Sequence, residues 1–230
     1  MRFNDYLIEG INDVGIFKAV FMCGSPGAGK SYTVSKLTST GARVVNTDKM
    51  LEYFEFNKAV AAELDKVKTL TKNQLVLYLN SLLPLFIDST STNPNALVRR
   101  RGLLESLGYE CGMIFVNTNL ETALDRARNR ARQVPEDMIK RKYEEAQNLL
   151  PFYKSKFDFY VEVDNNDGEL DNEALQSASK QVTNFFTSPL DSPLGQKVVY
   201  NMKSNGWKYL TPEIHTMEYL KKVVDVWYKN

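Results

Sequence analysis

From about residue 16 onward, short apolar runs alternate with longer amphipathic stretches. The runs 16–23, 43–46, 85–88, 111–116 and 159–163 are apolar at consecutive positions rather than at every second one. Strands covered on both faces read this way, because neither side of the pleat meets water. Between them the pattern predicts helices over 30–37, 49–64, 72–83, 95–107, 120–132, 135–150 and 169–186. Gly108 suits the end of a helix and Pro135 a first helical position. Strands and helices in alternation predict an α/β fold with a parallel five-stranded sheet flanked by helices.

Beyond Pro189 the pattern changes. Residues 194–230 carry their own aromatics (Tyr200, Trp207, Tyr209, Tyr219, Trp227 and Tyr228) and a helical run near 217–227. The expected division is a main domain over 1–188 and a small C-terminal appendage over 189–230. That appendage either packs on the domain or serves a protein partner.

Composition sets bounds. In 230 residues, 43% are hydrophobic and 25% charged, which excludes wholesale disorder. Lys+Arg 29 against Asp+Glu 28 gives a net charge of +1, so no overall field calls for a long polyanion. No run approaches the roughly 20 apolar residues of a membrane span. The start, Met1-Arg2-Phe3-Asn4-Asp5, lacks the apolar run of a signal peptide, so a cytoplasmic location without membrane contact is expected. Cys23 and Cys111, the two cysteines, lie in strand-like segments and read as buried reduced thiols. One histidine, His215, leaves little material for a histidine metal site or triad.

The chemistry enters at Gly24-Ser25-Pro26-Gly27-Ala28-Gly29-Lys30-Ser31, with Tyr32 next, which fits G-x-x-x-x-G-K-[ST] at every fixed position. An apolar strand precedes it and a helix-compatible stretch follows. Glycines let successive N–H groups point inward at phosphate oxygens, and the helix N-terminus adds partial positive charge. Lys30 then reaches the β- and γ-phosphates, and the Ser31 hydroxyl ligates Mg²⁺. The implied ligand is a nucleoside triphosphate.

Carboxylates at the ends of the next two strands bear on its fate. Asp48 ends Val44-Val45-Asn46-Thr47-Asp48, a natural place for a base accepting a proton from an attacking hydroxyl, or equally for a helix N-cap. Asp88 ends the next strand and suits a carboxylate near Mg²⁺. Thr90, Thr92 and Asn93 follow it, offering groups to an acceptor or merely capping a helix. No Asp-Glu pair follows this strand, which favours transfer to a bound hydroxyl over activation of a hydrolytic water. In the run 124–135, Arg126 and Arg130 lie four apart on one helix face, able either to stabilise a transferring phosphoryl group or to form a solvated surface. Arg99-Arg100-Arg101 reads as a surface helix face, with phosphate binding as the alternative.

Taken in order, the P-loop, Asp48, Asp88 with its Ser/Thr/Asn residues, Leu107-Gly108-Tyr109 and the arginine helix with Val134-Pro135 resemble the polynucleotide kinase and zeta-toxin branch of P-loop kinases. The segments Phe115–Leu124 and Val161–Asn165 strengthen a likeness to phage-encoded 5-hydroxymethyluracil DNA kinases. The resemblance covers about residues 17–165. It implies ATP and Mg²⁺ as cofactors, Asp48 as general base, Asp88 at the acceptor or Mg²⁺ shell, and Arg126 and Arg130 on a helical lid near 119–150. The implied acceptor is a hydroxyl of DNA or of a nucleotide-like molecule, with 5-hydroxymethyluracil in DNA preferred, and the implied location is a host cytoplasm if the chain is phage-encoded. A flipped-out base would need stacking partners such as Tyr53 or Phe54. Alternatives are a polynucleotide 5′-hydroxyl kinase, a zeta-like kinase of UDP-N-acetylglucosamine, and a non-catalytic ATP-binding interaction module. In 5′-kinases an arginine stands three positions after the strand-end aspartate; Leu51 stands there in this chain.

Overall fold

Parallel strands β1 (Lys18–Cys23), β2 (Arg43–Val45), β3 (Leu85–Asp88), β4 (Glu110–Asn117) and β5 (Phe159–Asp164) form one sheet in the order β2-β3-β1-β4-β5 in the computed structural model. The structure describes residues 15–37, 41–55, 60–89, 91–129, 134–166, 172–205 and 213–228. Central β1 is flanked on both sides, with Phe21 opposite Ile87 of β3 and Met113 of β4. This is an α/β fold, a five-stranded parallel sheet flanked by helices.

Alternation along β1 sends its side chains into two cores. Ala19, Phe21 and Cys23 join one, while Val20 and Met22 join the other. The second core is closed by α1 (Lys30–Leu37) and α8 (Asn172–Thr187) through Val34, Leu37, Val182 and Phe186. The first is larger. Helices α3 (Ala61–Asn80), α4 (Pro94–Glu105), α7 (Leu150–Lys156), α9 (Pro193–Ser204) and α10 (Met217–Trp227) all contribute to it. Helices α5 (Leu120–Arg128) and α6 (Glu136–Asn148) form a small apolar contact of their own through Ala123, Ala127 and Ile139.

The strands fall within two residues of expectation, but the helices after β2 do not. In place of 49–64 and 72–83, the chain forms α2 (Thr47–Tyr53) and the long α3. Glu55 takes a left-handed φ of 53°, which no helix continues through, so α2 stops. Helix α3 runs unbroken through 65–71 because Val67, Thr71, Leu75 and Leu79 repeat every four residues on its buried face. Thr71 hides that period in the sequence; it satisfies its hydroxyl on Val67 O at 2.9 Å. Helices α7 and α9 are additional to those expected.

Polar ties fasten the chain after α8 to the sheet. Lys18 is 2% exposed within β1 and pairs with Glu110 of β4. It also donates to Ser188 Oγ at 3.1 Å and Pro189 O at 3.3 Å. The second carboxylate oxygen of Glu110 accepts from the backbone N–H groups of Asp191 and Ser192. Helix α10 then lies over β1: the Trp227 ring stacks on Phe21 with centroids 6.2 Å apart and planes at 14°. Lys72 of α3 bonds Asp225 of α10 at 2.8 Å. Both cysteines are free thiols, and burial pushes that of Cys23 up to about 11. Among the described residues no helix is long and apolar enough to cross a membrane.

His215, 1% exposed, sets its Nε2 2.9 Å from Leu107 O and its ring edge-on to Phe17 at 5.5 Å. Burial lowers its pKa below the ordinary value. The unfolded chain therefore takes up a proton near the usual histidine pKa of about 6.5, while the folded chain resists until lower pH. Stability is expected to be full above that pH and to fall below it. Melting temperatures from pH 7.5 to 5 check this: His215→Gln lowers Tm at pH 7.5 and flattens the decline, and an unchanged decline refutes it.

Candidate active site

The loop between β1 and α1 curls over itself at Gly27 (φ 88°) and Gly29 (φ 91°), backbone that L side chains rarely adopt. Space forbids a side chain as well. A Cβ on Gly27 would strike Ala123 O, and one on Gly29 would strike Asn165 Nδ2. Lys30 Nζ lies over the loop, donating to Gly24 O and Ser25 O at 2.9 Å each. Gly24, Pro26, Ala28 and Gly29 lie in this loop, which leaves the C-terminal end of the central strand. Tyr32, 54% exposed in the first turn of α1, lies beside Lys36.

Ser31 and Asp88 meet. The Ser31 hydroxyl donates to Asp88 Oδ2 at 2.9 Å, and Asn46 Nδ2 donates to the same oxygen at 2.5 Å. Asp88 is 8% exposed, so these partners are what allow a carboxylate there. The other end of the Asn46 amide caps α2, its Oδ1 accepting from Asp48 N at 2.8 Å and Lys49 N at 3.1 Å. The expected cap role of Asp48 is therefore filled by Asn46. Asp48 itself is an exposed residue in the first turn of α2, one helix start away from Asp88.

Ser91 holds the segment after β3. Its hydroxyl donates to Met22 O at 2.9 Å, and its carbonyl accepts from Tyr153 OH at 2.8 Å. Its φ of 52° is strained for a serine, and these two bonds over-determine it. Asn93 caps α4 through Ala96 N at 3.0 Å, as its capping reading expected. Thr92 is buried and accepts from Lys142 Nζ of α6 at 3.1 Å, joining the arginine-bearing helical region to this segment. Thr90 lies outside the described residues, as does Arg130.

Arg126 comes to the P-loop. Its Nη2 donates to Asn165 O at 3.1 Å and Asn165 Oδ1 at 3.2 Å, while Asn165 Nδ2 donates to Ala28 O at 2.6 Å. Arg128 instead pairs with Glu136 at 2.6 Å on the surface. The reading of Arg99-Arg100-Arg101 as one surface face gives way. Arg101 does bond Glu105 at 2.6 Å on the helix surface, but Arg99 and Arg100 turn into a cavity of about 600 Å³ between α3 and α4, next to Ser89, Ser91 and Thr92.

Two oxygen donors, the Ser31 hydroxyl and the Asp88 carboxylate, therefore stand together at the loop's mouth, a set suited to a hard divalent cation. Among the described residues no group of three His, Cys, Asp or Glu side chains forms a metal cluster. Mg²⁺ is usually held by one or two carboxylates and substrate phosphates.

Residues 20–149, more than half of the chain, match the family described as AAA domain (AAA_33). The chain belongs to this family. Its members' P-loop kinase fold recurs among solved structures. A putative kinase from Chloroflexus aurantiacus aligns with a TM-score of 0.54 at 12% identity, covering 72% of this chain and 96% of that one. A chain of the Pnkp1/Rnl/Hen1 RNA repair complex aligns with a TM-score of 0.51 at 17% identity, covering 62% of this chain and 46% of that one. This chain thus spans under half the length of that relative. No curated protein matches the sequence.

Asn46 and Asn165 are the site residues that sequence reading passed over. Both are amides next to motif positions, and only their long-range partners reveal them. Asn165→Leu removes bonds to Ala28 O and Arg126, and is expected to cost about 1–3 kcal/mol for the polar groups left unpaired. Urea unfolding checks this; a loss below about 0.5 kcal/mol means the amide does not hold the loop.

Proposed function

We propose that the chain is an ATP-dependent kinase that moves the γ-phosphoryl group to a hydroxyl on a nucleic-acid or nucleotide-like acceptor. The observation that carries this is the Asn46 amide, which bonds Asp88 with one end and starts the helix bearing Asp48 with the other. One carboxylate beside the Ser31 hydroxyl and a second one helix start away supply the two acidic roles such a transfer needs.

The loop's N–H groups and Lys30 bind the triphosphate chain of ATP and fix its direction. Ser31 and Asp88 are the residues that would hold Mg²⁺, which supplies neutralisation of phosphate charge. Asp48 accepts the proton from the acceptor alcohol as its oxygen forms a bond to the γ-phosphorus and the bond from that phosphorus to the β–γ bridging oxygen breaks. Arg126, beside Gly29, neutralises charge on the transferring group, and Arg130, four positions on in the sequence, is assigned the same task. Positioning and charge do most of the catalysis.

5-Hydroxymethyluracil in DNA is the preferred acceptor. Tyr53 and Phe54, 81% and 41% exposed, sit edge to face at 5.0 Å at the end of the Asp48 helix, where they offer a stacking surface to an extruded base. Leu51, which stands where 5′-end kinases carry an arginine, is buried and supplies no cation at that position. UDP-N-acetylglucosamine remains the comparison acceptor.

Asp48→Asn is expected to lower turnover at least a hundredfold, within the range typical of general bases, while ATP affinity stays within about twofold. Labelled ATP with a panel of modified DNA, 5′-hydroxyl oligonucleotide and UDP-N-acetylglucosamine reads both points. Undiminished transfer by Asp48→Asn removes the base assignment. Label on the nucleotide sugar and never on DNA removes the preferred acceptor.

A further inference from the structure

The cavity between α3 and α4 is strongly basic. Lys68 and Lys72 of α3, Arg99 and Arg100 of α4, and Lys142 of α6 line it, against one acidic residue, Asp65. At about 600 Å³ it has room for a nucleotide-sized molecule. Ser89, Ser91 and Thr92, directly after Asp88, form one side of it. Tyr228, following α10, forms another, and the Tyr228 hydroxyl meets Thr47, the residue before Asp48. The cavity wall thus begins at Ser89, the residue directly after Asp88.

Its cations differ in their partners. Lys72 faces Asp225 at 2.8 Å, Lys142 faces Glu145 at 2.6 Å and Lys68 faces Asp65 at 3.4 Å. The partners seen for Arg100 are neutral: its Nε donates to Trp227 O at 3.4 Å, and its guanidinium sits 5.5 Å from the Trp227 ring centroid. Burial and the adjacent Arg99 charge both pull the Arg100 pKa down, a repulsion that a bound anion relieves. Two guanidinium forks beside hydroxyl groups match the spread oxygens of a phosphate ester better than a lone neutral alcohol.

We propose that this cavity binds the acceptor through a phosphate ester that the acceptor already carries, with Arg99 and Arg100 as its grip and Tyr228 as the flat wall beside it. The proposal rests on the kinase reading only in calling the occupant an acceptor. The ligand class is a phosphorylated alcohol; neutral alcohols and hydroxy acids fall outside it. The C-terminal helix is then part of substrate recognition, because Trp227 and Tyr228 position one arginine and one wall.

Calorimetric titration tests this with a non-hydrolysable ATP analogue on the P-loop. The probes are thymidine, thymidine 5′-monophosphate, a four-residue oligothymidylate and glucose 6-phosphate. At least one phosphate-bearing probe is expected to bind ten times tighter than thymidine or better, and the tightest identifies whether nucleotide, strand or sugar phosphate is the source. Arg100→Gln is expected to remove about tenfold of that affinity, equivalent to about 1.4 kcal/mol, with affinity for the ATP analogue unchanged. Lys68→Gln, at a site 49% exposed and safe for folding, gives a smaller loss in the same direction. Failure of all three phosphate probes to bind, equal binding of thymidine and its monophosphate, or wild-type phosphate affinity in both variants overturns the proposal. Phosphate-dependent binding without transfer to any acceptor supports this site and removes the kinase reading. Transfer to thymidine with no phosphate preference does the reverse.

Discussion

A single buried carboxylate, Asp88, organises one end of this sheet. It has lost most of its contact with water, and a charge in that position persists only if neighbours bond to it. The neighbours come from two different elements: Ser31 from the first turn of α1 and Asn46 from the start of α2. The demand of one oxygen atom thus ties β3 to the glycine-rich loop on one side and to the helix that carries Asp48 on the other. Parallel strand order brings these elements to the same edge, and the carboxylate sets how they meet there.

Asn165 does similar work on the opposite flank. It stands just after β5, bonds the backbone of the P-loop with its amide nitrogen, and receives Arg126 on both of its oxygens. Gly29 is the counterpart of that contact, since any side chain there would collide with the amide. The loop is therefore shaped from outside as well as by its own glycines. Through this amide an arginine from α5 is held beside Gly29 of the loop.

Much of this was legible in the sequence, for reasons that are local. The motif 24–31 carries its own backbone logic, and β1, β3 and most of β4 announce themselves because both of their faces are buried, whereas the edge strands β2 and β5 keep exposed positions. Helix α3 was not legible through 65–71, because a threonine occupies a core position and three lysines surround the seam. Asn46 and Asn165 were invisible for a different cause. An asparagine is common in turns, and its worth here comes from partners 42 and 137 residues away. The basic cavity is assembled from α3, α4, α6 and the segment after α10, none of which marks the others in sequence. Arg100 reads as surface in the sequence because Trp227, which packs against it, lies 127 residues away.

The stack of Trp227 on Phe21 also bears on how the chain acquires its shape. Central β1 completes its packing only when a segment roughly two hundred residues downstream has closed over it, and contacts of such long range slow folding. Until closure, the Trp227 side of the Phe21 ring stays uncovered, an opening for self-association in a half-formed chain. Closure by α10 therefore shields the Phe21 ring at the centre of the sheet from neighbouring molecules.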